Sequence, residues 1–208
     1  MPVRLSRGDV VTSNEAVRAR KERVDAVRNR EAVLAAADDL FARSDSPRGV
    51  SMDDVAAAAG VGKGTLFRRF GDRTGLIRAV VEARIEPLRQ AVEEGPAPLG
   101  PDTPPRERVP ALLDAILEFK LANRHLSLAL EEAGSGSPYQ TEYYRWWHTI
   151  LRQTLDRLPG HADSGFTAHA LLAATRADLV EHLAGTEGAT GERMRADLAA
   201  HVAKVLSE

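Results

Sequence analysis

Lys63, Thr65, Arg68 and Arg69 follow the glycines Gly60 and Gly62 within the string GVGKGTLFRRF. Their chemistry is that of binding. Ammonium and guanidinium groups on a short helix take up phosphate oxygens, and a Lys or Thr near the helix start reaches acceptors on base edges in a major groove. The string imitates a nucleotide phosphate loop, but no glycine lies five positions before Gly62, and Gly64, not serine or threonine, follows Lys63. The six histidines, His125, His148, His161, His169, His182 and His201, lack zinc-ligand spacing, and the chain has no cysteine. Asp178 and His182 stand one helical turn apart, with no third ligand in view. There is no G-x-S-x-G elbow. The sequence therefore implies no enzyme, no cofactor and no metal.

The surrounding residues dictate how the cationic cluster is presented. Ser51 followed by Asp54 is a capping-box pattern that starts a helix near Met52. Val55, Ala56 and Ala59 give that helix a narrow face of small apolar side chains, which lets a neighbouring helix approach closely. Gly60 ends it, because glycine adopts the left-handed conformation at no steric cost. A second helix follows with Val61, Leu66 and Phe70 on one side and Lys63, Thr65, Arg68 and Arg69 on the other. This is helix-turn-helix spacing. Asp72 is an N-cap for a further helix from Arg73, whose dipole favours a nearby anion such as a DNA phosphate.

With these residues in place, the segment GVGKGTLFRRFGDRTGL resembles the recognition helix and following turn of the TetR family of bacterial transcriptional regulators, commonly close to GVSKGTLYRHFPSKEEL. Residues 26–43, AVRNREAVLAAADDLFAR, resemble that family's first helix, with Val33, Ala37, Leu40 and Phe41 at helical spacing. The resemblance spans roughly residues 26–80. It implies an all-α chain in which an N-terminal three-helix homeodomain-like helix-turn-helix domain precedes a larger C-terminal helical effector-binding and dimerisation domain. Four positions depart from the family pattern. Gly62 replaces a capping Ser or Thr, Phe67 replaces a phosphate-binding Tyr, Arg69 replaces a His, and Gly71 replaces a Pro, which predicts a looser turn before Asp72.

Charge is distributed in keeping with this division. The 208 residues carry a net charge of −2, yet residues 1–80 hold 15 Lys+Arg against 11 Asp+Glu and the remainder 13 against 19. A basic end attracts DNA by counterion release, and an acidic remainder stays clear of it. Residues 1–24 read as a mobile basic arm, 25–72 as the helix-turn-helix domain, 73–94 as a connecting helix bent at Pro87, and 95–208 as the second domain. Absence of cysteine, of a signal-peptide core and of any 18-residue apolar run predicts a cytoplasmic protein without a membrane partner.

Beyond Arg73 the segments are Ala, Leu, Arg and Glu rich, which predicts helices near 107–132, 138–158, 164–184 and 190–206 after a proline-rich loop from Gly95 to Pro110. Two apolar stripes occupy the last of these: Phe166, Ala170, Ala173, Ala174, Ala177 and Val180, and then Met194, Leu198 and Val202. Proteins of this resemblance pair through their two C-terminal helices, so the stripes are the expected homodimer interface, placing two recognition helices roughly 34 to 36 Å apart or somewhat more. The resemblance also implies a pocket for an unknown small-molecule effector. Phe119, His125, Tyr143, Trp146 and Trp147 are its candidate lining, because Tyr and Trp join an apolar face to one polar atom.

The expected DNA contacts are Lys63 and Thr65 to base edges, Ser51, Arg68, Arg69 and Arg73 to phosphates, Phe67 against the backbone, and Gly62 and Gly64 within the same surface. The function that follows is an effector-responsive regulator, a repressor that binds a palindromic operator on double-stranded DNA as a homodimer and is released by a ligand. The alternatives are a helical DNA-binding protein without an effector and a ligand-binding helical protein with a vestigial helix-turn-helix.

Overall fold

The computed structural model of the chain describes residues 13–44, 49–132, 139, 141–159 and 163–207. Those residues contain ten helices and no strand: α1 (Ser13–Arg43), α2 (Met52–Ala59), α3 (Lys63–Phe70), α4 (Arg73–Glu94), α5 (Pro105–Ala122), α6 (Arg124–Glu132), α7 (Glu142–Leu155), α8 (Ser164–Ala173), α9 (Ala177–Gly185) and α10 (Gly191–Val205).

Two apolar cores organise them. In the first, Val33, Ala37 and Phe41 of α1 meet Val55 and Ala56 of α2, Leu66 and Phe70 of α3, and Leu76, Ile77 and Val80 of α4. In the second, Leu112, Leu113 and Ile116 of α5 pack with Trp147, Leu151 and Leu155 of α7, Leu171 of α8 and Val202 of α10. α4 contributes to both, with Ile85 and Val92 in the second. It runs unbroken through Pro87.

Local chemistry sets the helix ends in the first half. Asp54 N donates to Ser51 Oγ at 3.2 Å and Ser51 N donates to the Asp54 carboxylate at 3.0 Å, so the capping box is closed. The exposed Asp54 carboxyl is held below its ordinary range by the Ser51 hydroxyl and then by the Ser51 amide. Gly60 ends α2 at φ 66°, in the left-handed region. Gly71 lies at φ 76° and ψ −77°, with Asp72 N donating to Phe70 O at 3.0 Å, which is a γ-turn of the hand that needs glycine. That turn is tightly bonded, not loose, and proline with its fixed negative φ does not fit it. Asp72 then caps α4, accepting from Gly75 N at 2.8 Å.

Four expectations are corrected. α1 begins at Ser13, so residues 13–24 are the start of a continuous 31-residue helix; residues 1–12 of the expected arm lie outside the described residues. α5 begins at Pro105 and contains Pro110, because an N-terminal proline has no amide bond to forfeit and the full burial of Val109, Leu112 and Leu113 outweighs the one lost at Pro110. The expected 107–132 helix breaks at Asn123, whose Nδ2 and N both donate to Phe119 O, at 2.8 and 3.0 Å. Such side-chain competition for helix carbonyls ends helices. The expected 164–184 helix breaks after Ala173, where buried Thr175 turns its hydroxyl back onto Leu172 O at 3.0 Å.

The second break splits the proposed pairing stripe. Phe166, Ala170 and Ala173 are exposed on α8, with Phe166 at 71%. Ala177 and Val180 on α9 are buried within the chain, as are Met194, Leu198 and Val202 on α10. Helical periodicity marks an apolar face without saying whose core it fills. Here Val180, Met194, Leu198 and Val202 belong to the chain's own second core, where α5 packs against α9 and α10.

Candidate nucleic-acid interface and ligand-binding interior

α3 has two unlike faces. Leu66 and Phe70 are buried at 1% and 8% exposure, while Lys63, Thr65, Arg68 and Arg69 are exposed and Phe67 is 46% exposed beside them. Gly62 is the N-cap and supplies no side-chain bond, and both Gly62 and Gly64 are open to solvent. The helix thus seats an apolar ridge on the core and turns a basic, hydrogen-bonding rim outward.

The rim residues differ in what already holds them. Lys63 Nζ is paired with Asp53 at the start of α2. Arg69 Nη1 donates to Ala26 O of α1 at 2.6 Å. Arg73 is half-buried, its Nε donating to Val50 O at 3.0 Å and its guanidinium 6.0 Å from the Phe41 ring centroid. The Ser51 hydroxyl donates to Asp54 at 2.6 Å. Thr65 and Arg68 have no hydrogen bond or ion pair through their side chains to other described residues. Sequence reading missed Asp53 as the counterion of Lys63, since ten residues separate them and only the turn at Gly60 brings them together. It also missed Arg84 of α4, which joins the Asp38 carboxylate of α1 to the Asn123 amide oxygen at the α5–α6 break.

In the second half the structure gathers Tyr143, Trp146 and Trp147 and separates them from His125. The Trp146 and Trp147 ring centroids are 4.5 Å apart, and those of Tyr143 and Trp147 6.3 Å. Trp147 points inward at 2% exposure. Half-buried Trp146 donates through Nε1 to Glu93 of α4 at 2.7 Å, with the Arg89 guanidinium 5.1 Å over its ring. Phe119 lies where the two cores meet. His125 is exposed, on the solvent side of α6.

This aromatic group carries an unusual polar residue of its own. Arg89 Nε, Tyr143 Oη and Trp147 Nε1 are buried without hydrogen-bond partners. All three bear protons to donate. Burial pushes the Tyr143 hydroxyl well above its ordinary pKa, opposed by the indole of Trp147 and reinforced by the charge of Glu131. Two recesses elsewhere have other linings. One of about 730 Å³ runs between α5 and α10 past Ala111, Leu121 and Ala199 and is crossed by the Arg195–Asp114 pair. The other, about 260 Å³, is bounded by Leu117, Leu183, Met194 and His201. Neither includes the five expected lining residues.

Asp178 and His182 are taken up separately. Asp178 accepts both Arg176 Nε and Nη2, at 2.9 and 2.7 Å, which lowers its pKa against the effect of burial. His182 faces Glu187 at 3.3 Å. His161 lies outside the described residues. No helix among the described residues is long and apolar enough to cross a membrane.

The arrangement is that of a helix-turn-helix DNA-binding regulator. Residues 33–80 match the family described as bacterial regulatory proteins, tetR family. The chain is 27% identical over 161 residues to an HTH-type transcriptional regulator of Staphylococcus aureus strain MRSA252, covering 76% of this chain and 84% of that one. A second S. aureus HTH-type regulator, from strain bovine RF122, is 30% identical over 59% of this chain and 65% of its own length. Among solved structures, a TetR-family regulator from Rhodococcus sp. shares the fold with TM-score 0.59 at 24% identity, covering 86% of this chain and 99% of that one. NalD of Pseudomonas aeruginosa, described as the secondary repressor of the MexAB-OprM multidrug efflux pump, does so with TM-score 0.54 at 16% identity, covering 86% and 96%.

Proposed function

We propose that this regulator is a repressor that acts in the cytoplasm as a homodimer on a palindromic operator and leaves it when a small molecule binds the second half. The observation that carries the DNA-reading role is the two-faced α3, with Thr65 and Arg68 exposed and unengaged above a buried Leu66 and Phe70. Lys63 and Thr65 read base edges, Lys63 by leaving Asp53. Arg68 and Arg69 hold phosphates, with Phe67 on the backbone, and Ser51 and Arg73 contribute beside the α4 N-terminus while keeping their structural bonds. Phe166, Ala170 and Ala173 on α8 are the residues of the expected pairing face that remain free to meet a second copy. The buried donors of Tyr143, Trp147 and Arg89 support a ligand role, since enclosed N–H and O–H groups are ordinarily satisfied.

Selection of bound duplexes from a random pool, repeated with cell extract, tests this reading. A palindromic consensus lost on adding extract is the expected result. Recovery of unrelated sequences favours a vestigial helix-turn-helix, and a consensus indifferent to extract favours a regulator without an effector. Lys63→Ala should relax sequence preference as well as weaken binding, whereas Arg68→Ala should weaken operator and random duplex alike and reduce the salt slope by about 1. Equal losses for Lys63→Ala on both duplexes would remove it from base reading.

A further inference from the structure

α6 belongs to both halves of the molecule. Its Leu126 is buried at 4% exposure in the same core as Leu76, Ile77 and Val80 of α4, with Ala129 and Leu130 packed alongside. Its two ends are fastened to the other half. Arg124 grips the Glu181 carboxylate of α9 through Nε and Nη2, at 3.1 and 3.0 Å. At the far end Glu131 accepts Lys120 Nζ at 2.7 Å and Ala177 N at 3.1 and 3.2 Å, with Arg176 Nη2 at 3.6 Å. α9 has no side-chain cap of its own. The carboxylate of a different helix fills that position, in the field of a helix N-terminus.

A second, independent observation lies next to this one. The Tyr143 hydroxyl and the Trp147 indole N–H are buried and unpartnered, and the charge of Glu131 is felt at the Tyr143 hydroxyl. Donors gather here, and among the described residues the carboxylate hydrogen-bonded to Lys120, that of Glu131, is already shared with Ala177 N. Because Asp178, which feels the Lys120 charge, already engages Arg176 through two bonds, departure of Glu131 would leave Lys120, whose side chain is 12% exposed, as a nearly buried cation without its hydrogen-bonded counterion. A neutral replacement leaves that charge uncompensated, and a cation is repelled.

We propose that Glu131 is the resident occupant of a carboxylate site, and that the effector is a monocarboxylate on an apolar body which displaces it. The ligand's oxygens take over Lys120 Nζ and the Ala177 N–H, the Tyr143 and Trp147 donors gain an acceptor, and the apolar body lies against the aromatic rings. Released at its Glu131 end, α6 no longer holds Leu126 firmly under α4, and the DNA-reading half shifts. The inference rests on the reading that this half binds an effector, and it names that effector's class.

The test uses the full chain, with octanoate and 3-phenylpropanoate as probes against their primary amides. Binding is followed by the fluorescence of Trp146 and Trp147, and release by anisotropy of a selected operator duplex. The acids should bind at least about tenfold more tightly than the amides and lower operator affinity. Glu131→Gln, which removes the internal competitor, should strengthen acid binding by about tenfold and weaken operator binding in the absence of acid. Lys120→Met should erase the difference between acid and amide. Equal binding of acid and amide, or acid affinity unchanged in Glu131→Gln, overturns the proposal. If Glu131→Gln does not fold, the acid-to-amide ratio in the unaltered chain decides. Release by a neutral compound with no response to acids defeats the carboxylate site and leaves the effector reading standing; no release by acids, amides or cell extract defeats both.

Discussion

The DNA-reading half and the second half of the chain bury polar groups under different rules. From α1 to the middle of α4 the fully buried residues are apolar, and the polar groups at helix ends are closed on one another, as at Ser51 with Asp54 and at Asp72 with Gly75. The buried polar residues among those described, Thr103, Arg108, Asn123, Ser127, Thr154, Ser164 and Thr175, all lie beyond it. So do the buried side-chain atoms without partners, Arg89 Nε, Thr103 Oγ1, Tyr143 Oη, Trp147 Nε1 and Ser164 Oγ. One half is a satisfied, apolar scaffold for a rigid cationic rim. The other keeps unused hydrogen-bonding capacity inside.

That contrast breaks most visibly in the first core. Leu66→Ala should cost about 2 to 5 kcal/mol, because Leu66 is nearly fully enclosed and its neighbours can collapse only in part. Urea denaturation followed with DNA binding should show both failing together. A loss below 1 kcal/mol would mean that this core is loosely packed and the contrast is false. In the other half, Tyr143→Phe should leave stability unchanged or raise it by about 1 kcal/mol, since the hydroxyl is desolvated without a bond.

Tyr143 also fixes a sign in alkali. A raised folded pKa means that its contribution is complete below the unfolded value of 10.0 and is lost as the pH rises beyond it. Thermal melts across that range should fall more steeply for the unaltered chain than for Tyr143→Phe, and parallel curves would show the hydroxyl to be solvated. Asp53→Asn sharpens the rim side of the comparison. It frees Lys63 and removes a negative charge, so affinity for any duplex should rise about two- to fivefold with a steeper salt dependence. Anisotropy titrations at several salt concentrations check this, and an unchanged slope would show that the pair survives on DNA.

The smallest effect concerns His169, stacked on His148 with ring centroids 3.9 Å apart and its Nδ1 2.6 Å from the Tyr144 hydroxyl. Burial and then the neighbouring His148 lower its pKa below 6.5. The neutral form is therefore favoured on folding, and its contribution is present above pH 6.5 and lost as the pH falls. His169→Gln should flatten the slope of melting temperature between neutral and mildly acid pH. A slope identical to that of the unaltered chain would show that the stack does not titrate with folding.

Much of the DNA-reading half was legible because its signals are local. The capping box at Ser51, the turn at Gly60, the two faces of α3 and the cap at Asp72 each depend on residues a few positions apart. The second half depends on partners far away in sequence. Asn123 breaks a long helix in company with Arg84, 39 residues distant, and Thr175 does so from a buried site. The apolar periodicity of α10 was visible, yet periodicity cannot distinguish a face that meets its own chain from one that meets a second copy. Glu131 could not be singled out from other polar residues of the second half, since an isolated acid near a helix end is ordinarily solvated. The loop after Gly95 was read from its prolines, though as far as Pro110 and so past its end at Pro104, and the buried Arg108 that secures it by donating to Leu99 O and Val92 O, both at 2.9 Å, was not.

The seat of Leu126 bears on how this polypeptide can be cut. A fragment ending at Glu94 retains every residue of the α3 rim yet lacks the leucine that completes the hydrophobic floor beneath α4, and it forfeits the Asn123 amide that steadies Arg84. Recognition by the first half is accordingly on loan from the remainder: severed, it should melt earlier and grip DNA less well, although the α3 rim is intact.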